Sequence, residues 1–221
     1  MDKKRLVQEA LLQQKMLPLY FHESAEVSIG ILQALYLAGV RVVEYTNRGA
    51  AALQNFTLLR SAVDERLHGL LLGIGTIKTE EDAQAFMDAG ADFIVCPTIN
   101  AGVGGLVQQA GLLWIPGCMT PTEIAAAETA GANIVKIFPG NILGPGYISA
   151  IKDLFPAISF MPTGGVEMEE ENLKSWFASG VVAVGMGSKL ITKTSMETKD
   201  YSGIQRATEK ALALVKKTSA S

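Results

Sequence analysis

The chain has 221 residues, 48% hydrophobic and 19% charged, with a net charge of -3 and two cysteines. That length suits one domain with a sizeable core, expected to run over 1–221. The slightly acidic balance, with no cluster of Lys and Arg, excludes a nucleic-acid surface, and no apolar run approaches the roughly 18 residues of a membrane span.

Taken in order, residues 3–15 read as an amphipathic helix with Leu6, Ala10 and Leu11 on one side. Its basic start, Lys3, Lys4 and Arg5, leads into polar residues and not an apolar core, so no secretory leader is expected. A first strand is expected over 16–21, MLPLYF, then a helix over 25–38 ending at Gly39. The second strand, VRVVEYT, covers 40–46, and its helix 50–63. The third, LLLGIGT, covers 70–76; its helix over 80–89 has Thr79 as cap and Gly90 behind it.

The fourth strand is FIVCPT at 93–98, with a Gly-interrupted helix to Ala110. The fifth is LWIPGC at 113–118, and Thr120 and Pro121 open the helix over 121–130. The sixth is NIVKIFP at 133–139, with a shorter helix over 147–154. The seventh is SFMPTGG at 159–165, with a helix over 169–179. The eighth is VAVGMG at 182–187; a polar surface loop over 192–202 and a last helix over 203–217 follow. This alternation, repeating every roughly 20 to 25 residues, points to an α/β fold, a single (β/α)8 TIM barrel with an extra N-terminal helix. A doubly wound open sheet is the competing architecture, but it rarely needs eight units in so short a chain.

In a parallel barrel the active site forms at the carboxyl ends of the strands. The candidates there are His22, Glu44, Arg48, Thr76, Thr98, Lys136, Thr163 and Ser188. Lys136 is the outlier, one ammonium inside a β-branched and aromatic run with no charge partner in that run. Such a lysine is either a structural ion-pair partner or an amine poised as a nucleophile. If it faces inward, so do Ile134 and Phe138, while Val135 and Ile137 pack against helices. The same parity puts Val42, Glu44 and Thr46 on one face of the second strand, and alternate strands share an interior layer, so Glu44 and Lys136 face one pocket.

Two glycine pairs, Gly164 with Gly165 and Gly185 with Gly187, stand where this architecture binds phosphate, although glycines also serve tight turns. The glycines of Gly73–Thr76 mark close approach of another group and have the wrong spacing for a dinucleotide fingerprint. Cys96 and Cys118 lie in apolar runs without ligand spacing, as buried thiols of a reducing cytoplasm would. With only two histidines and no paired motif, no metal site is expected.

The runs VRVVEYTNR, GIGT, WIPGCMTPTE, VKIFP, PTGGV and VGMGSKL, in order over most of the chain, resemble the 2-keto-3-deoxy-6-phosphogluconate (KDPG) and 4-hydroxy-2-oxoglutarate (KHG) aldolase family. The resemblance implies a metal-independent class I aldolase with no cofactor, a small-molecule substrate and a homotrimeric assembly; the cytoplasmic location rests on the thiols. It puts Lys136 in the Schiff-base role and Glu44 in the acid/base role. Arg48, Thr76 and Thr163 would hold the pyruvate carboxylate and nearby oxygens. Gly164, Gly165 and Ser188 would bind phosphate. The chain departs from the pattern at Gly49, where threonine is frequent, at Cys96–Thr98 in place of Ser-Pro-Gly, and at Phe138–Asn141 in place of Phe-Pro-Ala-Glu. These lie near the barrel mouth and bear on sugar specificity. Two other readings of the residues stay open: a phosphosugar isomerase or epimerase with Glu44 as base, and a barrel that binds ligand without turnover.

Overall fold

The computed structural model describes residues 2–219; residues 1, 220 and 221 of the expected domain lie outside them. Nine short strands are laid down in parallel: β1 (Met16–Tyr20), β2 (Val42–Thr46), β3 (Leu71–Gly75), β4 (Phe93–Val95), β5 (Leu113–Ile115), β6 (Gly117–Cys118), β7 (Ile134–Ile137), β8 (Ser159–Pro162) and β9 (Val184–Met186). Six form one sheet in the order β5-β4-β3-β2-β1-β9, and three form another in the order β6-β7-β8. The sheets adjoin at Pro116, whose carbonyl accepts from Lys136 N at 2.8 Å, and at a parallel bridge between Thr163 and Gly185. The result is an α/β fold of parallel strands backed by helices.

Strand parity sorts the interior into two cores. Leu17, Val42, Leu71, Phe93, Leu113, Ile134 and Met161 pack together on one side of the strands. Their neighbours Met16, Val43, Leu72, Ile94, Trp114, Val135 and Phe160 pack on the other, against the helices. Helix α1 (Lys3–Gln14) belongs to the first group: its Val7 and Leu11 are fully buried among the inward residues. Gln14 fixes it there, its Oε1 accepting from Arg41 N and Val42 N at 2.6 and 3.1 Å and its Nε2 donating to Met16 O and Val42 O at 2.6 and 2.9 Å.

The structure departs from the sequence expectation in three places. The fifth strand splits at Pro116, which has no N–H for a ladder. Before it Ile115 O accepts from Cys96 N; after it Gly117 registers with Lys136, so the chain changes partner at the proline. The helix expected over 147–154 begins earlier, running Gly140–Ile151, because its interruption at Gly144 (φ 69, ψ 170) and Pro145 is a kink with helical turns on both sides. The loop expected over 192–202 contains a short helix, Lys193–Glu197, capped by Thr192 Oγ1 accepting from Ser195 N at 3.1 Å. Among the described residues no helix is long and apolar enough to cross a membrane.

Candidate active site

Lys136 stands on β7 with inward Ile134 below it, while Val135 and Ile137 join the helix-facing core, as parity requires. It is 4% exposed. Among the described residues its ammonium makes no hydrogen bond and no ion pair; Nζ lies 5.1 Å from the centroid of the Phe138 ring. Its strand neighbours are Gly117 and Met161, so neither side offers it a counter-charge.

Glu44 occupies the matching level of β2, between Leu19 and Gly73. It is 1% exposed, and neither carboxylate oxygen has a hydrogen-bond partner. Burial therefore raises its pKa above the ordinary carboxylate value, while the Lys136 and Arg48 charges pull it partly back. Gly75 makes this placement possible, since a Cβ there would collide with Glu44 Oε1. Gly185 does the same for Thr163, whose Oγ1 is likewise buried without a partner. Orphaned polar atoms of this kind are rare in folded proteins and concentrate at functional sites.

Next to Phe138, whose ring centroid lies 5.1 Å from Lys136 Nζ, opens a cleft of about 390 Å³, lined also by Phe21, Arg48, Thr163, Gly164, Gly165, Ser188 and Lys189, among others. Arg48 is held at its edge by a tight turn: Asn47 N donates to Gly75 O at 2.8 Å and Arg48 N to Thr46 O at 3.0 Å. Gly164 and Gly165 have φ of 90° and 71°, a backbone region that other residues resist. The Gly165 carbonyl accepts from Asn172 Nδ2 and Trp176 Nε1, both at 3.2 Å, which fixes this peptide of the cleft lining.

Five of the eight expected site residues thus share one cleft: Arg48, Thr163, Gly164, Gly165 and Ser188. Lys136 and Glu44 are buried and do not belong to its lining. Thr76 closes the end of β3 with φ 62, a strained conformation for a threonine, and is also outside the lining. His22 is used structurally: its carbonyl accepts from Tyr45 OH at 2.8 Å and from Ser28 Oγ and Asn55 Nδ2 at 3.1 Å each. Sequence reasoning missed Phe21 and Lys189. Gly49 was the available signal for Phe21, because a Cβ there would come within 2.7 Å of the Phe21 ring. Both thiols are buried and free, and burial pushes Cys96 up to about 11 and Cys118 to about 12, so neither is a nucleophile at neutral pH. Among the described residues no group of three or more His, Cys, Asp or Glu could hold a metal ion.

Residues 7–207 match the family model of the KDPG and KHG aldolases. The chain is 32% identical over 208 residues to a 2-dehydro-3-deoxy-phosphogluconate aldolase of Treponema pallidum, covering 94% of this chain and 96% of that one. It is 35% identical over 147 residues to the 2-dehydro-3-deoxy-6-phosphogalactonate aldolase of Escherichia coli, covering 66% of this chain and 67% of that one. A crystal structure of a 4-hydroxy-2-oxoglutarate/2-dehydro-3-deoxyphosphogluconate aldolase superposes with a TM-score of 0.81 at 32% identity, over 97% of this chain and 99% of the other.

Proposed function

Because the chain belongs to the KDPG and KHG aldolase family, we propose that Lys136 is the amine of a class I aldolase, with Glu44 as its proton carrier. The substrate is a 2-keto-3-deoxy-6-phospho sugar acid, cleaved to pyruvate and glyceraldehyde 3-phosphate; 4-hydroxy-2-oxoglutarate would give glyoxylate in place of the phosphorylated aldehyde. The observation that carries this reading is a buried, inward lysine with no counter-charge bound to it, whose charge is felt by an equally unpartnered carboxylate.

The steps follow from that geometry. The Lys136 amine attacks the substrate C2 ketone, water leaves, and an iminium forms. Glu44, directly or through a water, takes the proton from the C4 hydroxyl as the C3–C4 bond breaks. The electron pair of that bond flows into the iminium, leaving an enamine, and the aldehyde departs. Proton return to C3 and hydrolysis release pyruvate. The iminium is the electron sink, the role a divalent ion fills in metal-dependent aldolases. A carboxyl raised by burial suits the shuttle, since it holds and releases a proton nearer neutrality than an exposed one.

Arg48, Thr76 and Thr163 take the pyruvate carboxylate and its neighbouring oxygens in this assignment, and the unpartnered Thr163 hydroxyl is free to donate. Gly164, Gly165 and Ser188 take the phosphate, in the cleft they line together. The two adjoining sheets form one closed (β/α)8 barrel within a single domain, with α1 as an added stopper. The working form is a homotrimer in the cytoplasm. Incubation with pyruvate and borohydride tests the central assignment: the reduced adduct should appear by mass spectrometry on Lys136, and no adduct, or one on another lysine, refutes it.

A further inference from the structure

The cleft contains two charged side chains, Arg48 and Lys189, and both are cations. Lys189 directly follows Ser188 in a turn fixed by its backbone, Leu190 N and Ile191 N both donating to Gly187 O at 2.9 Å. Leu190 and Ile191 are buried and anchor the Lys189 backbone, while its side chain is 59% exposed. Its ammonium meets Glu167 Oε2 at 3.0 Å, and Glu167 is outside the cleft lining. A solvent-exposed pair of this kind is worth at most about 1 kcal/mol and is readily exchanged. A phosphate ester brings close to two negative charges and three acceptor oxygens, a better partner than one carboxylate.

We propose that Lys189 is a binding cation for the doubly charged end of the substrate, paired with Glu167 beforehand and transferred to the anion as it enters the cleft. Glu167 is then the resting partner of the ammonium at the rim, a competitor that the entering anion displaces and that does not touch substrate. The pair selects a phosphorylated substrate over a short keto acid, because only a dianion outcompetes Glu167. This rests on the aldolase reading for the identity of the anion and on the cleft geometry for the rest.

The test is calorimetric titration of inorganic phosphate into the wild-type protein, Lys189→Met, Lys189→Arg and Glu167→Gln at fixed ionic strength. Loss of the ammonium should weaken phosphate binding by about tenfold, the equivalent of one charge-assisted contact, and arginine should restore most of it. Removing the competitor in Glu167→Gln should tighten it by about twofold. Wild-type protein that binds no phosphate, an unchanged affinity in Lys189→Met, or weaker binding in Glu167→Gln overturns the proposal. Pyruvate and borohydride labelling of the same samples separates the two readings. An adduct on Lys136 beside an indifferent Lys189 removes only this inference; a missing adduct in wild type removes the aldolase assignment itself.

Discussion

Glu44 is a conflict held at a single residue: a carboxylate with no partner, kept buried where an uncharged side chain would be cheaper. Its folded-state pKa lies above the unfolded value, so folding takes up a proton here. That contribution favours the folded state fully at low pH and is lost as pH rises through the folded-state value. Glu44→Gln should therefore raise the melting temperature by about 3 °C at pH 8 and by much less near pH 4, measured by calorimetry. The same substitution should lower kcat by about 10² or more, since an amide cannot carry the proton. Stability gained with activity lost marks a functional carboxylate; a variant less stable at pH 8 would mean that Glu44 has a partner the geometry does not show.

At the scale of the element, α1 does what its amphipathic pattern could not reveal. A helix packed on either side of the strands shows an apolar stripe; the difference is that Val7 and Leu11 meet the inward residues of the strands and not their helix-facing side. Gln14 couples this helix to β1 and β2 through four backbone contacts. Gln14→Ala leaves strand N–H and C=O groups without partners, and should cost about 2 kcal/mol. In urea unfolding the midpoint should fall with the slope unchanged, which would locate the effect in the folded state. A midpoint within error of wild type would show that water replaces Gln14 freely.

For the whole molecule the open matter is assembly. Leu37, Ile142 and Leu154 are large apolar side chains each 67% exposed, as single residues on a protein surface can be. A closed assembly of identical copies would cover such residues. Sedimentation equilibrium should return three times the chain mass of 23.5 kDa at micromolar concentration. A mass of one chain, unchanged on dilution, would leave the trimer without support.

The catalytic candidates were readable in the chain because strands repeat every two residues, so one odd residue in an apolar run is automatically aimed at the interior with its i±2 neighbours. That is how Lys136 and Glu44 could be expected to face one pocket. The helix caps at Thr79 and Thr120 were equally legible, being local hydrogen bonds between residues three apart. What lay beyond reach depends on residues far apart in sequence. Pro116 could be seen as a proline but not as the point where the chain changes partner. Gly75 and Gly185 could be seen as small but not as the room left for the side chains of Glu44 and Thr163. Lys189 could be seen as a charge but not as one turned toward Glu167 at the rim of a cleft. Local periodicity determines which face a side chain takes, whereas what it meets there depends on how strands distant in sequence pack against one another.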